Sequence, residues 1–368
     1  MKANEPTLDM NPFLMPYETP YGAIPYDRIT LEHYIPAVKE AIAREEAAIN
    51  NICNNSDSPT FGNTIAALDY AGLLLGDIIG AFNAVANACS NDEILAIEEE
   101  MQQLYVEHKN NITLNDKLFA RIKVVYESDN SHLTTEQQRL LQQTYDSFVR
   151  NGANLAEEER DEYRRLTERL ATLGVKFQEN SIKDTDAYTL HITDEADLEG
   201  LPEDVIDAAL NNAKENGKEG WIFTLHRPSD LPFMTFCRNR ELRKQMYMAY
   251  DTIGAKGNGH DNCDTVKETV NCRLKLARLL GYNTYSDYVL SERMAQNTDA
   301  VFAMLGKLTW SYLPTARKEM EEVTAFAKKC EGERFDFQPW DFAFYSEKLK
   351  EQKFDLTDEM VYNIRDGG

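Results

Sequence analysis

The sequence predicts a mainly α, multi-helix protein in two lobes, with one small β element. Three observations predict it. Apolar residues recur at steps of three and four through most of the chain, the period of a helix face. Only two short stretches favour strands, and a single helix-like segment separates them. The length, 368 residues, exceeds the usual size of one domain. A composition of 42% hydrophobic and 27% charged residues is that of a folded, water-soluble chain and not a disordered one.

The elements follow in order. Ile65, Leu68, Gly72, Leu75, Ile79 and Phe82 make one apolar stripe. Gly72, Gly76 and Gly80 along it would let another helix come close, or are simply tolerated at modest cost. Ile94, Ile97, Met101, Leu104 and His108 share the next face, with Ser90 and Glu93 as a capping box. Leu114, Leu118, Ile122 and Val125 repeat the pattern. A helix from Thr134 and Thr135 carries Leu141, Tyr145 and Phe148 and stops at Gly152. Tyr163, Leu166, Leu170, Leu173 and Phe177 form a coiled-coil-like seam, whose expected partner is the 65–82 stripe.

The period changes once. "AYTLHI" (187–192) and "GWIFTLH" (220–226) read as short strands flanking a helix over 202–217. "RPSDLPF" (227–233) reads as a hinge, because two prolines interrupt regular structure; it is the expected lobe boundary. Helices then follow over 239–254 and 263–282, joined by the loop "AKGNGHDN". Val301, Leu305, Leu308, Tyr312 and Val323 build a last long helix, with a kink expected at Pro314. "PWDFAFY" (339–345) places four aromatic rings in seven residues, and rings at helix spacing are core by default.

Charge and cysteine usage exclude several classes. The formal net charge of −23 repels phosphate backbones and anionic bilayers, so neither nucleic acid nor membrane is an expected partner. The most apolar stretch, 70–89, is interrupted by Asp77, Asn83 and Asn87 and does not read as a span. "MKANEPTLDMNPFL" lacks the apolar core of a secretion signal, which points to the cytoplasm; an exported form with its signal removed stays open. Six cysteines without a CxxC read as scattered thiols.

No reaction centre is legible in the residues. None of the six histidines precedes a glutamate, so HExxH is absent, and none follows one by three residues. GxSxG is absent. His260 and Cys263 form an HxxC without a second pair, a weak metal signal. "GAKGNG" (254–259) lacks the GK[ST] ending and reads as a flexible connector rather than a phosphate loop. Glu98, Glu99 and Glu100 read as surface charge, and the run at 155–170 as a solvated helix face. His108 reads as a half-buried packing residue. No catalytic or metal-ligating residue is assigned.

Several stretches in order carry a resemblance. "YGAIPYDRITLEHYIPAVKEAI" (21–42), "PTFGNTIAAL" (59–68), "SNDEILAIEEE" (90–100), the segment 149–185, "LLGYNTYSDYVLSERMAQ" (279–296) and "QPWDFAFYSEKLK" (338–350) resemble bacterial dipeptidyl carboxypeptidases. These form the peptidyl-dipeptidase branch of the thimet-oligopeptidase family of zinc metallopeptidases. The resemblance implies a two-lobed, clam-like helical architecture around a channel that admits short peptides. It implies release of C-terminal dipeptides by a zinc-activated water, the zinc being held by HExxH and a further glutamate. With the lobe boundary placed at the 227–233 hinge, 1–230 is expected to be an N-terminal helical lobe with the β element near 187–226. Residues 231–368 would be the start of the catalytic peptidase lobe, incomplete and truncated before the zinc site. On this basis the chain alone is expected to be inactive and to bind no zinc, its partner being the missing C-terminal part of the catalytic lobe. After "FDLTDEMV" the ending "YNIRDGG" departs from the family pattern. The alternative is a non-catalytic helical peptide-binding or interaction protein derived from the same family.

Overall fold

The computed structural model describes residues 11–89 and 91–354. The chain divides into two compact units, 1–176 with 265–289, and 177–264 with 290–368.

The first unit is helical. Helix α1 (Tyr34–Asn54) is followed by a π-helical turn (Phe61–Ala66), α2 (Ala67–Ala71), α3 (Leu73–Ala88), α4 (Asp92–Thr113), α5 (Asp116–Glu127) and α6 (Thr135–Arg150). The caps explain several boundaries. Asn91 accepts from Ile94 N at 2.9 Å and starts α4, so the cap sits one residue beyond the expected Ser90, which lies outside the described residues. Thr134 and Gln137 close a capping box on α6, and Gly152, at φ 94°, lies just past its end.

Two of this unit's cores lie among α1 to α6. Tyr34, Val38, Leu75, Ile78, Phe82 and Met101 unite α1, α3 and α4 with Phe13, and Tyr34 meets Phe82 edge-on at 5.2 Å. Each such side chain removed from water contributes about 1.5–3 kcal/mol. Ile49, Ile52, Ile65, Leu118, Ile122 and Phe148 build the second, where Tyr126 stacks on Tyr145 at 3.9 Å. Of the three glycines on the α3 stripe only Gly72 is closely approached: a Cβ there would sit 3.1 Å from Glu45 Oε1. By length and composition Phe61–Ala88 is apolar enough to cross a membrane, with 28% of its most apolar window buried. Its Leu75, Ile78, Ala81 and Phe82 are core, whereas Asp77, Asn83 and Asn87 lie on the exposed side.

Helix α7 (Glu157–Asp186) carries the predicted seam, but its partner differs from the expected one. Tyr163, Leu166 and Leu173 pack against Leu114 and against Cys272 and Leu276 of α11 (Cys263–Leu279). The 65–82 stripe is already used against α1, α4, α5 and α6. A seam shows that a partner is needed and does not identify it. Phe177, at its far end, is exposed.

The second unit holds the β element. Strands β1 (Thr189–Ile192) and β2 (Trp221–Thr224) pair antiparallel, Leu190 opposite Phe223. Gly220, at φ 88°, is required there: a Cβ would lie 2.3 Å from Ile192 O. Helix α8 (Glu203–Glu215) lies between the strands in sequence. The expected hinge at 227–233 is instead the body of α9 (Arg227–Phe236). Pro228 falls in the first turn, where no N–H is needed. Pro232 gives up one bond, and Phe233 and Met234 beside it are buried, so packing outweighs the break. Helix α10 (Arg240–Asp251) completes this core through Met246 and Ala249. After the short α12 (Tyr285–Leu290), which lies in the first unit up to Val289, comes α13 (Thr298–Glu331) of the second unit, which runs unbroken through Pro314. Last comes α14 (Phe342–Phe354).

Candidate functional site

Four clusters concentrate the polar chemistry. The densest lies on α10. Arg240 and Arg243, three residues apart, share a helix face and converge on Asp341, which is completely buried. Arg240 donates through Nε and Nη2 to the two Asp341 oxygens at 2.9 and 2.7 Å. Arg243, 1% exposed, donates to Asp341 Oδ1 at 3.1 Å, to Cys237 O at 2.8 Å and to Trp340 O at 3.2 Å. Burial pushes the Asp341 carboxyl up, but hydrogen bonds from Arg240, Gln338 N and Arg243, with the Arg240 charge, hold it below its ordinary value. Both carboxylate oxygens are occupied, so the cluster is a clamp and not a general base. It places "PWDFAFY": Phe344 and Tyr345 are buried against Val323 and Ala327, and Arg243 lies over the Phe344 ring at 4.1 Å. The rings cover one another locally, except for Phe342, which is exposed.

The second cluster is His108 with Glu45 and Glu46. His108 Nε2 stands 2.9 Å from Glu45 Oε2, and Nδ1 3.7 Å from Glu46 Oε1. The histidine is fully buried rather than half-buried, and a carboxylate accompanies it. The sequence spacing of 63 residues hides this pair.

The third is the "GAKGNG" loop, which is pinned rather than a loose connector. Asp184 accepts from Gly254 N at 2.8 Å and from Asn258 Nδ2 at 2.7 Å, and Lys256 stands 3.0 Å away. Asn262 Nδ2 donates to Phe177 O at 2.9 Å. A carboxylate already takes the donors that a phosphate would use. His260 and Cys263 sit at the end of this loop; Asn258 Oδ1 accepts from His260 N at 2.9 Å, and Asp261 Oδ1 from Cys263 N at 2.8 Å. Among the described residues, no group of three or more His, Cys, Asp or Glu side chains is placed to hold a metal ion. The described residues therefore offer no donor set of the kind a zinc site needs.

The fourth feature is concave. A cavity of about 360 Å³ lies between α3 and α4, with Ile79, Phe82 and Met101 as apolar wall and Asn83, Glu98 and Gln102 as polar groups. Burial raises the Glu98 carboxyl above its ordinary value. Glu98 is thus half-buried and lines this cavity, whereas Glu99 and Glu100 are exposed, and Glu100 pairs with Lys39 at 2.8 Å. Helical spacing could have flagged it: Glu98 precedes Met101 and Gln102 by three and four residues.

Comparison with known proteins places this architecture. Residues 233–364 match the model of Peptidase family M3. The chain is 32% identical to dipeptidyl carboxypeptidase of Escherichia coli, over 96% of this chain and 52% of that protein. It is 31% identical to oligopeptidase A of Salmonella typhimurium, over 95% of this chain and 52% of the relative. A thimet-like oligopeptidase of Dictyostelium discoideum is 21% identical over 90% of this chain and 50% of its own length. The resemblance carried by the motifs is borne out: the chain is similar to these peptidases along nearly its whole length, and its helical fold agrees with the family expectation. It spans about half the length of the curated relatives it matches.

Proposed function

We propose that this chain forms the N-terminal portion of a zinc-dependent peptidyl-dipeptidase or oligopeptidase, which hydrolyses short peptides and releases C-terminal dipeptides when complete. One observation carries the reading: similarity to dipeptidyl carboxypeptidase runs over 96% of this chain but only 52% of the relative. The donor set supports it. Without a cluster of metal-ligating side chains among the described residues, the zinc and its activated water would be held by residues outside this chain. What this chain contributes is shape: helical walls, a pinned loop and the Asp341 clamp. In this reading 1–230 belongs to the N-terminal helical lobe and 231–368 begins the catalytic lobe, and the enzyme works in the cytoplasm. The test is metal content and turnover of a blocked tripeptide by purified 1–368. Sub-stoichiometric zinc and no dipeptide release are expected; release of a C-terminal dipeptide overturns the proposal.

A second reading, a non-catalytic peptide-binding protein, is favoured by the α3–α4 cavity, which combines an apolar wall with amide groups and one carboxyl. Titration calorimetry with short peptides separates the two. Micromolar binding weakened by Glu98→Gln and Asn83→Ala supports the second reading. An HExxH encoded downstream of codon 368, in any frame, supports the first.

A further inference from the structure

The first two-thirds of α13 are apolar and uncovered. Phe302, Met304, Leu305, Leu308, Trp310, Tyr312, Leu313 and Met320 are all exposed, Trp310 to 81% and Phe302 to 70%. Of the whole helix only Val323 and Ala327, near its end, are buried. At 3.6 residues per turn these eight side chains occupy about two-thirds of the helix circumference. A surface helix is apolar along one stripe; a helix apolar nearly all round belongs inside a core. Beside Pro314 the surface is also concave: Gly306, Trp310, Leu313 and Arg317 border a groove of about 730 Å³. A solvent-facing apolar area on this scale marks an interaction surface.

We infer that residues 302–320 of α13 are the seat on which the missing half of the peptidase packs, the polypeptide corresponding to the part of the relatives that this chain does not span. The inference rests on the peptidase reading and adds the surface. Three observations select this occupant. The unspanned portion amounts to about half of each relative, enough to surround a helix rather than touch it. A second copy pairing about a two-fold axis would cover one stripe on each helix and leave the opposite side in water. Each copy also carries a net charge of −23, which opposes self-association. The end of the same helix shows what the covered state looks like, because α14 already packs there through Phe344 and Tyr345.

Trp310 supplies the readout. The chain is mixed with a polypeptide comprising the part of Escherichia coli dipeptidyl carboxypeptidase that it does not match, with zinc present. Acrylamide quenching of Trp310, taken as the difference between the parent and Trp310→Phe, is followed beside hydrolysis of a blocked tripeptide. Quenching is expected to fall several-fold on assembly. Leu308→Asp with Phe302→Asp should weaken assembly at least about tenfold while leaving unfolding of the isolated chain unchanged. Hydrolysis restored while Trp310 stays open to quencher overturns the surface assignment and leaves the peptidase reading intact. Neither assembly nor hydrolysis overturns the reading, and the assignment with it. Sedimentation of the chain alone gives an independent measurement. A monomer with Trp310 open is expected; a dimer that shields Trp310 and is dissolved by the double substitution makes a second copy the occupant and overturns the inference.

Discussion

The two ends of helix α13 have similar apolar content and opposite fates. Near its C-terminus Val323 and Ala327 meet Phe344 and Tyr345 in a closed core, and Lys353 of α14 pairs with Glu322. Toward its N-terminus Phe302, Leu308 and Trp310 face water. Intrinsic helix preference does not separate them, since both lie in one unbroken helix. The difference is the partner. The closed end is covered by a segment of this chain that the Asp341 clamp holds in place; the open end stays exposed. A helix can therefore be complete as secondary structure and incomplete as a packed element.

Substitutions break or sharpen that contrast, beginning with the clamp. Asp341→Ala leaves Arg243 buried and unpaired beside Arg240 and should cost about 3–5 kcal/mol in chemical denaturation. The Asp341 carboxyl is held below its unfolded value, so its contribution is present above pH 3.8 and lost as pH falls through the lower folded value. An unchanged denaturation midpoint in Asp341→Ala would show that the closed end does not depend on the clamp. Phe344→Ala empties the ring from the same core and should cost about 3 kcal/mol, measured the same way.

Asp230, on α9, is the counter-example to Asp341: a buried carboxylate raised to about 6, chiefly by burial, with only partial relief from the Arg227 charge. Its folded value lies above the unfolded one, so the folded state holds the proton more tightly between pH 3.8 and 6. Stability therefore falls as pH rises through that window. Asp230→Asn should remove this slope and gain about 1–3 kcal/mol at pH 7, read from melting curves across pH 4–7. A parent slope retained in the variant contradicts the assignment. The smallest effect belongs to the open end: Leu308→Ala in the isolated chain should change stability by less than about 0.5 kcal/mol, because the side chain is exposed. A loss of the size seen for Phe344→Ala would mean that the open end is already covered.

Much of the fold was legible because helices announce themselves at period 3.6 and the two short strands by their β-favouring residues. The stripe at 94–108, the helix stopped at Gly152 and the strand pair near 187–226 all follow from local rules. What escaped was non-local. Tyr163, Leu166 and Leu173 declare a seam, but the choice of Cys272 and Leu276 over the 65–82 stripe depends on contacts about a hundred residues apart. Pro232 looked like a break because the cost of proline is local and the gain from burying Phe233 is not. Arg240 and Arg243 could be placed on one face, yet Asp341 lies 101 and 98 residues away from them. The absence of a zinc motif, by contrast, could be read directly, because HExxH is a one-turn pattern on a single helix.

The most direct test is hydrolysis of a blocked tripeptide by purified, protease-free 1–368 supplied with zinc. No dipeptide release above the zinc-only background is expected from a chain whose described residues hold no converging set of donors. Steady turnover that is abolished by chelation and restored by zinc would contradict the account, since the reaction would then be running on side chains of this chain.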